Sequence, residues 1–564
     1  MSVIYWESAK SFEYYIREIA HGSIRLPYTG ITNTKSRRTP VIMGSSLHAP
    51  YPPPLSEEHL LALQADIQDW QLTHGSLIKM YTHNEDRAVL ARPIGVSMFP
   101  TLFPKSCFSH ALELQESYNE LYANIAEDEG WLFDVLQDLI LTDPFTRALW
   151  GVHEKVKEKG YIQPLTLGIF RSDYMLHSPE EPREGECSRL APETSDLAPE
   201  PTIKQVEFNT FSCAGGTHGN IVNAMHHHLA RTGAYDLGTS PQNPITPSAL
   251  PTAETTTSIT SGLAAAHTAY GLPRSAPATT TAILIAVQPN NINICDERPL
   301  EYSLWAHDPA IPTYRALFPS DITARTTLTQ SRELLFYPPH ATLPVEISAV
   351  YLRAAYDPAE HDSAGIAART RLELARAIKC PSVLAQLATF KKVQQALSLP
   401  GAVERFLPPP RAAQVRATFA PMYPLDDSEV GRRARALAAD AGAAERFVLK
   451  PSLEGGGHNV YRGDIPRVLE QVPEAEWRSY VLMELMRPPS LSNILLAGRG
   501  VYEGRVVSEL GVFGVCMWRR RDGGTGAEIV ENRQGGWSFK TKAEEVDEMS
   551  VIKGYGCFDT PCLV

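Results

Sequence analysis

The sequence predicts an α/β fold, because strand-like apolar runs alternate with helix-like segments along most of the chain. The strand-like runs are PLTLGIF, TTAILIAVQ, ISAVYLRAAY, RFVLKP, SYVLMEL and VVSELGVFGVCMW. The helix-like segments include RTRLELARAIK, VLAQLATFKKVQQAL and GRRARALAADAGAA. The chain has 564 residues, of which 43% are hydrophobic. This length and composition allow a large core and favour two or three domains.

The overall charge excludes some classes of partner. A net charge of -12 argues against a broad nucleic-acid or membrane-binding surface, since both partners favour a basic face. Any anion must therefore meet a local basic site. No apolar run approaches the length of a bilayer span, and the start of the sequence does not read as a signal peptide, so we expect a cytoplasmic protein. The eight cysteines form no C-x-x-C pair, which predicts reduced, buried thiols.

Three segments differ in composition from the rest. Residues 1–52 show little periodicity and are interpreted as an N-terminal extension. Two stretches, roughly 178–200 and 237–280, contain many Pro, Ser, Thr and small residues. This composition predicts mobile surface insertions that limited proteolysis should cut first.

The stretch FVLKPSLEGGGHNVY, residues 447–461, combines a lysine with three glycines after a strand-like run. Glycines allow successive backbone N–H groups to face one concavity, and Lys450 adds a positive charge. The pattern suits a nucleotide phosphate loop. It is neither a Walker A loop nor a dinucleotide fingerprint, because the lysine precedes the glycines. A triple glycine is also common in flexible turns, so this loop alone does not decide whether the chain binds a nucleotide.

Acidic and amide side chains occur on several strand-like runs. Strand alternation places Glu207 and Asn209 on one face, where they form a pair of hard oxygen ligands. Glu454, in the glycine loop, could complete a magnesium site. Glu484 and Glu509 lie within apolar strands, although a lone strand glutamate can also simply face solvent.

Basic residues adjoin apolar strands or glycine-rich turns in an otherwise acidic protein. Arginine suits carboxylates and lysine suits phosphates, so together they indicate a substrate that carries both groups. Any one of these residues could instead be an unrelated surface charge. The residues are Arg171, Arg353, Lys391, Lys450, Lys540 and Lys542.

The sequence resembles the eukaryotic glutathione synthetases, a family of ATP-grasp ligases, from about residue 53 to the C-terminus. The similarity rests on segments in the same order as in that family: IFRSDYM, QVEFNTFSCAGG, VYLRAAY, KCPSVLAQLATFKKVQQAL, RFVLKPSLEGGGHNVY, YVLMEL, VVSELGVFGV and KTK. The resemblance implies an ATP-grasp fold with a glycine-rich lid, and a homodimer. It also implies a division into residues 53–281, an inserted α/β substrate-binding domain at 282–389, and residues 390–564.

The resemblance also implies which residues would form the active site. The magnesium ligands would be Glu207, Asn209 and Glu454. ATP would contact Lys391, Lys450, Gly455, Gly456, Gly457, Asn459, Tyr461, Met483, Glu484, Glu509 and Lys542. The dipeptide γ-glutamylcysteine and the acceptor glycine would contact Arg171, Ser212, Asn293, Glu297, Arg353, Tyr356, Lys540, Val551 and Ile552. Arg171, Lys450 and Lys542 would act in catalysis.

The activity implied by the resemblance is Mg²⁺-dependent, ATP-driven amide formation between γ-glutamylcysteine and glycine through an acyl phosphate. Such chemistry needs positioning and charge neutralisation more than a protein nucleophile. A closing glycine loop would exclude water from the acyl phosphate.

The sequence departs from the family pattern at several positions. Glu297 replaces a glutamine, Ala214 a serine, and Lys540 an arginine expected on the carboxylate of the acceptor. The family's alanine-rich loop GGVAAG reads MSVIKG here. Two alternatives therefore stay open: a related ligase with another small amine acceptor, of the homoglutathione type, and a non-catalytic peptide-binding paralogue.

Overall fold

Long antiparallel strands, Gly500–Arg520 with its neighbours Ala527–Ala543 and Leu165–His177, form much of the larger sheet, and the strand-like apolar runs of the sequence are strands in the structure. The computed structural model describes residues 51–80, 89–178, 200–236, 243–451, 458–498, 500–523 and 525–564. Most of the predicted N-terminal extension, most of the first predicted insertion, and Glu454 with Gly455, Gly456 and Gly457 lie outside these residues. The predictions made for them therefore stay predictions.

The strands are, in chain order, β1 Leu77–Lys79, β2 Ala91–Pro93, β3 Val96–Ser97, β4 Thr101–Phe103, β5 Leu165–His177, β6 Thr202–Asn209, β7 Thr281–Val287, β8 Thr313–Leu317, β9 Thr326–Leu328, β10 Leu334–Phe336, β11 Val345–Arg353, β12 Ile378–Cys380, β13 Met422–Pro424, β14 Phe447–Pro451, β15 Val460–Tyr461, β16 Tyr480–Glu484, β17 Leu491–Ala497, β18 Gly500–Arg520, β19 Ala527–Ala543, β20 Cys557–Asp559 and β21 Pro561–Leu563. Each of the six strand-like runs predicted from the sequence falls on one of these strands.

The helices are α1 Glu57–His74, α2 Lys105–Ala126, α3 Glu129–Thr142, α4 Pro144–Lys159, α5 Gly216–Arg231, α6 Thr255–Tyr270, α7 Ile294–Trp305, α8 Ser320–Arg325, α9 Ser363–Leu374, α10 Val383–Leu387, α11 Lys391–Leu397, α12 Pro409–Ala417, α13 Glu429–Ala439, α14 Ala441–Ala444 and α15 Asp464–Leu469. In the described part of the chain, no helix is both long and apolar enough to cross a membrane.

Within the described residues, the larger sheet contains 13 strands. Its main path runs β17-β3-β20-β19-β18-β5-β12-β11-β10-β9, while β6 pairs with β5, and β7 pairs with β11 and β8. The β18–β19 and β18–β5 pairs are antiparallel, whereas β11 is parallel to β7 and β12. The sheet is therefore mixed: most of its parallel pairs lie on the side of β11, and β20 and β3 form a further parallel pair near the other edge.

The parallel strands are apolar on both faces because both faces are covered. Along β7, Ile283 and Ile285 pack into one core cluster, and Ala282 and Leu284 pack into another. This double burial explains why TTAILIAVQ reads as a continuous apolar run rather than an alternating one.

A second, four-stranded antiparallel sheet has the order β13-β16-β14-β15. Lys450 of β14 lies opposite Val481 of β16, and Val448 lies opposite Met483. Because side chains alternate along a strand, one face of this sheet holds Val448 and Lys450 together.

The prediction that residues 237–280 form a mobile insertion was wrong for the described part of this segment. Thr255–Tyr270 is a helix in which Ile259, Leu263 and Ala266 are buried in the core. Its small residues permit close packing: a Cβ atom on Gly262 would lie 2.6 Å from Val515 Cγ1. The small, polar composition therefore reflected a tight contact with β18.

The segment VLAQLATFKKVQQAL is two short helices rather than the single predicted one. The chain leaves the helical conformation at Phe390, between Val383–Leu387 and Lys391–Leu397. The Thr389 hydroxyl there accepts a hydrogen bond from Thr210 N and donates one to Phe208 O. This tertiary contact to the end of β6 explains the break and sets Lys391 at the start of a helix.

The described cysteines are free, and all of them except Cys295 are buried, as predicted. The described residues from 51 onward belong to one compact unit. The strands of residues 282–389 continue the same large sheet through β12 and β5, so the division at 281/282 and 389/390 stays a prediction.

Candidate active site

A cleft of about 750 Å³ lies where the two sheets and the loops after β19 come together. The structure brings 18 of the residues predicted for the site into its lining: Arg171, Glu207, Asn209, Ser212, Asn293, Glu297, Arg353, Tyr356, Lys391, Lys450, Asn459, Tyr461, Met483, Glu484, Glu509, Lys540, Lys542 and Ile552. Residues far apart in the chain therefore share one cleft.

One wall of the cleft is built by the register of the central strands. Gly511 of β18 lies opposite Asp173 of β5, which in turn lies opposite Glu207 of β6. A Cβ atom on Gly511 would approach Asp173 Oδ1 to 2.8 Å and Arg171 Cδ to 3.0 Å. Glycine at this position thus leaves the space that the charged side chains occupy.

Arg171 and Asp173 form a two-pronged ion pair in this wall. Arg171 Nε and Nη2 each lie 2.7 Å from a carboxylate oxygen of Asp173, and Nη1 donates to Ala214 O at 2.9 Å. Burial opposes the charge on Arg171, but Asp173 outweighs it and raises the pKa of the guanidinium. Arg171 is therefore a fixed cation that also holds the backbone at Ala214.

Glu207 lies between several cations and an amide. Lys391 Nζ is 2.7 Å from Glu207 Oε2, and Asn209 Nδ2 donates to Glu207 Oε1 and Asp173 Oδ2, each at 3.1 Å. Burial alone would raise the pKa of Glu207, but Lys391 and Lys450 hold it well below its usual range. Glu207 is therefore ionised at neutral pH, with Asp173 and Asn209 adjacent.

These side chains match the chemistry that a magnesium ion requires. Mg²⁺ takes oxygen ligands and uses one or two carboxylates together with waters and phosphates. A half turn of the Asn209 amide would direct Oδ1 toward Glu207. In the described residues, no three His, Cys, Asp or Glu side chains are grouped closely enough to hold a metal by themselves. The ion would therefore also need the phosphates of a nucleotide, or Glu454.

Two other lysines contact backbone carbonyls. Lys450 Nζ donates to Val206 O at 3.2 Å, and Lys542 Nζ donates to Val546 O. Burial, followed by the nearby charge of Lys391, lowers the pKa of Lys450 to about 8. Burial also lowers the pKa of Lys542. Both ammonium groups would gain from a bound anion, which is what a phosphate-binding lysine requires.

Lys540 has a different partner. Its Nζ lies 2.5 Å from Glu509 Oε1, directly across the β18–β19 pair. Burial raises the pKa of Glu509, and Lys540 partly offsets that rise. The sequence-based prediction assigned Glu509 to the nucleotide and Lys540 to the acceptor, whereas the structure joins them in one ion pair.

Part of the lining of the cleft is apolar and is here called the apolar slot. It is lined by Val448, Met483, Leu485, Met486 and Val507. Glu484, at its edge, accepts a hydrogen bond from Tyr423 Oη at 2.8 Å. Apolar side chains in the same cleft as phosphate-type lysines suit a nucleotide base.

Two segments that border the cleft contact each other. Asn459 N donates to Glu548 Oε1 at 3.0 Å, and Arg462 forms an ion pair with Asp547. Asn459 Nδ2 also lies 3.4 Å from Tyr461 Oη. The end of the glycine loop and the loop after β19 are therefore joined at the rim.

Another part of the lining is formed by Ser212, Asn293, Glu297, Arg353 and Tyr356. Ser212 has a φ of 50°, a left-handed conformation that is uncommon for serine. Tyr356 Oη donates to Gln288 Oε1 at 2.8 Å. Arg353 is almost fully buried and contacts Glu297 and Asp296.

The structure does not bring every predicted residue to the cleft. Val551 packs into the apolar cluster around Phe558, whereas its neighbour Ile552 lines the cleft. The sequence reasoning also missed residues that line it, including Asp173, Asp547 and Glu548. Asp173 stands two residues after Arg171 on the same strand, so strand alternation could have identified it.

The fold and the cleft together define the class of protein. A cleft that places an apolar slot, lysines and an acidic pair between a small antiparallel sheet and a large sheet is that of an ATP-grasp ligase. A family model described as the eukaryotic glutathione synthase, ATP binding domain, matches residues 57–563. The chain belongs to the eukaryotic glutathione synthetase family.

Individual relatives agree with this membership. The glutathione synthetase large chain of Schizosaccharomyces pombe is 32% identical over 514 residues, covering 88% of this chain and 96% of the relative. The glutathione synthetase of Homo sapiens is 34% identical over 473 residues, covering 82% and 89%.

A solved structure supports the fold. A glutathione synthetase-like effector from Globodera pallida has a TM-score of 0.67 and 19% identity, and the match covers 92% of this chain and all of that one. The predicted ATP-grasp fold, ligase class and ATP as co-substrate are confirmed. The roles of individual site residues stay predictions.

Proposed function

We propose that this protein joins γ-glutamylcysteine to glycine, with ATP as the energy source and Mg²⁺ as the required ion. The observation that carries the proposal is the convergence, in one cleft, of Lys450 and Lys542 with the Glu207–Asn209 pair. Lysines together with a carboxylate and an amide that can bind a metal ion suit phosphoryl transfer. A protein that only binds a peptide needs neither group.

The proposed reaction has two steps. The cysteinyl carboxylate attacks the γ-phosphorus of ATP, so that ADP leaves and an acyl phosphate forms. The glycine amine, after losing a proton, then attacks the acyl carbon, and phosphate leaves as the amide bond forms. Neither step needs a covalent bond to the protein.

The chain's own residues would supply charge and position. Glu207, Asn209 and Glu454 would hold Mg²⁺, which when bound supplies positive charge against the transferring phosphate. Lys450 and Lys542 would neutralise phosphate oxygens, and the apolar slot would hold the base. Arg171, fixed by Asp173, would face the carboxylate that becomes the acyl phosphate.

The rim contacts would keep water out during the reaction. The pair Arg462–Asp547 and the bond from Asn459 N to Glu548 join the two loops across the cleft. The Arg462–Asp547 pair is exposed, and exposed ion pairs contribute little to stability, so this contact would not hinder opening for product release.

The experiment that tests this function measures phosphate release by purified protein with ATP, Mg²⁺, γ-glutamylcysteine and a panel of amines. We expect release only when both the dipeptide and an amine are present, with glycine as the best acceptor. A preference for β-alanine or serine would indicate the homoglutathione-type ligase. No dipeptide-dependent release would contradict the enzyme and favour the peptide-binding paralogue.

Two further properties are proposed with the function. A homodimer is expected for this family and can be checked by light scattering. A cytoplasmic location is expected and can be checked by cell fractionation.

A further inference from the structure

The chain enters and leaves the four-stranded sheet through two linkers. Residues 417–421, here called the entry linker, connect the end of α12 to β13, and residues 485–490, the exit linker, connect β16 to β17. Glu484 N, directly before the exit linker, donates a hydrogen bond to Pro421 O at 3.0 Å. The two linkers therefore lie side by side, and any movement of this sheet against the larger sheet would take place there.

Strand β6 of the larger sheet is bonded to three successive carbonyls of the entry linker. Lys204 Nζ donates to Ala417 O at 2.8 Å and to Phe419 O at 3.2 Å. Between these two carbonyls, Thr418 O accepts a hydrogen bond from Gln205 N at 2.8 Å. A linker held at one point can still turn about that point. The two outer bonds, both made by Lys204, therefore fix the direction in which the chain enters the four-stranded sheet.

The exit linker is bonded to the neighbouring strand β5. Arg487 N donates to His177 Nδ1 at 3.2 Å, and Ser178 N donates to Arg487 O at 2.9 Å. His177 is paired with Thr202, two residues before Lys204 on β6. Both linkers are therefore bonded to the same end of the β5–β6 pair.

Strand β6 meets the four-stranded sheet again two residues after Lys204. Lys450 Nζ, from β14, donates to Val206 O at 3.2 Å. The next residue of β6 is Glu207, which carries the carboxylate of the predicted metal site. One strand thus holds the entry linker, contacts a phosphate-type lysine and supplies the carboxylate. A shift of the four-stranded sheet along β6 would move Lys450 relative to Glu207.

We propose that Lys204 is a positioning residue that aligns the four-stranded sheet with β6, so that the base and the phosphates of one nucleotide can be bound at the same time. The inference rests on the proposed function, which places the base in the apolar slot and the phosphates near Lys450 and the Glu207–Asn209 pair. Lys204 lies outside the lining of the cleft, so it acts through the entry linker rather than on the nucleotide.

A lysine suits this position because its ammonium has three donors and no acceptor, so it can bond two carbonyls at once. Hydrogen bonds from a charged donor are also stronger than those between neutral groups. Arginine would keep the charge and several donors, whereas methionine keeps a long side chain without any donor. These two replacements separate the hydrogen bonds of Lys204 from the packing of its stem.

The test compares two ligands that share the base and the ribose. Adenosine would occupy the slot alone, whereas a non-hydrolysable ATP analogue with Mg²⁺ would span the slot and the phosphate site. The Kd of the analogue is measured by calorimetry and that of adenosine by ligand-detected NMR. The ratio of the two Kd values reports the affinity that the phosphates add, and it is internal to each variant.

The variants are Lys204→Met, Lys204→Arg and, as a matched control, Lys379→Met. Lys379 also donates to a backbone carbonyl, Ala375 O at 2.9 Å, but it is buried away from both linkers. In Lys204→Met the ratio should fall about tenfold, the lower end of the range for hydrogen bonds to a charged group, while the Kd of adenosine stays unchanged. Lys204→Arg and Lys379→Met should keep the wild-type ratio.

A purely structural role of Lys204 would lower the free energy of unfolding and leave the ratio unchanged, and this result would overturn the proposal. Equal falls in Lys204→Met and Lys379→Met would overturn it as well. If Lys204→Met does not fold, Lys204→Gln takes its place: its neutral amide should give a smaller fall, and an unchanged ratio would again contradict the proposal.

The outcomes also separate this inference from the proposed function. If the wild-type protein bound the analogue no more tightly than adenosine, both the phosphate site and the role of Lys204 would be contradicted. The expected ratios without any dipeptide-dependent phosphate release would support the role of Lys204 and contradict the ligase function. Phosphate release with an unchanged ratio in Lys204→Met would do the reverse.

Discussion

Lys540 and Glu509 form a buried ion pair across two neighbouring strands, with Nζ 2.5 Å from Oε1. The side chain of Lys540 is 13% exposed and that of Glu509 is 9% exposed. An acceptor carboxylate must therefore share the charge of Lys540 with a carboxylate of the protein. This pairing decides how the acceptor site can work.

Replacing Lys540 should change acceptor binding in opposite directions depending on the new residue. In Lys540→Arg, one edge of the guanidinium can stay with Glu509 while the other donates to glycine, so KM for glycine should fall. In Lys540→Met, KM should rise by about 10- to 100-fold, the range for a charge-assisted hydrogen bond. Steady-state kinetics at saturating ATP measures both. An unchanged KM in Lys540→Met would show that the acceptor does not reach this lysine.

Ile552 should restrict the size of the acceptor. It lines the cleft, and overpacking typically costs about 1 to 3 kcal/mol. We expect the wild-type protein to prefer glycine over β-alanine, and Ile552→Ala to relax that preference. The measurement is the ratio of kcat/KM for the two amines.

Val551→Ala is the matched control for Ile552→Ala. Val551 packs in the core cluster rather than in the cleft. This variant should lower the free energy of unfolding by about 1 to 3 kcal/mol, as expected for a truncated core side chain, and leave the amine ratio unchanged. A shifted ratio in Val551→Ala alone would instead return Val551 to the acceptor site, as the sequence predicted.

Lys450 should impose an alkaline limit on ATP binding. Its pKa is lowered to about 8, first by burial and then by Lys391. The ammonium that attracts phosphate is present below this pH and lost above it, so kcat/KM for ATP should fall as the pH rises through about 8. In Lys450→Arg, the guanidinium stays charged and the fall should disappear. A pH profile that is identical in both proteins would contradict the assignment.

The same lysine should lower the stability of the ligand-free protein. Its folded pKa lies below its unfolded value, so the stability associated with this group is highest above the unfolded pKa and is lost as the pH falls toward about 8. At pH 7 this loss is at most about 3 kcal/mol. Lys450→Met should therefore unfold at a higher denaturant concentration than the wild type at pH 7, and the same concentration of ATP should stabilise the variant less than the wild type.

Glu207 should be essential for turnover but not for folding. Glu207→Gln removes a carboxylate from the predicted metal set, and losing one preorganised contact costs about 2.7 to 4 kcal/mol of transition-state stabilisation. We expect kcat to fall by about two to three orders of magnitude. Asp547→Asn is the control, because it removes a carboxylate from the rim pair with Arg462 and should change kcat by less than about tenfold. Near-normal turnover in Glu207→Gln would refute the metal assignment.

Gly511 should tolerate no side chain. In Gly511→Ala, the new Cβ atom would meet Asp173 and Arg171 at 3.0 Å or less, so the ion pair must move and activity should fall about 100-fold. Gly151→Ala is the control: nothing lies within 4 Å of its Cβ position in the helix Pro144–Lys159. That variant should gain about 0.5 to 1 kcal/mol of stability and keep full activity. Equal activity of the two variants would contradict the packing argument.

The sequence by itself determined the fold class, six of the strands and a set of site residues of which 18 line the cleft. Buried strands are readable because burial on both faces demands continuous apolar runs, as in TTAILIAVQ and VVSELGVFGVCMW. Ordered motifs with glycine, lysine and glutamate carry the chemistry of phosphate binding within short segments. These are local properties, so they can be recognised from the sequence alone.

Only the tertiary structure decided which charges meet. Strand register pairs Lys540 with Glu509 and sets Asp173 beside Glu207, although 31 residues separate the first two in the chain. The segment around Thr255–Tyr270 looked mobile because its small residues are also typical of loops, and only its contact with Val515 shows that they serve close packing. Electrostatic and packing partners depend on distances in space, and composition carries no information about those distances.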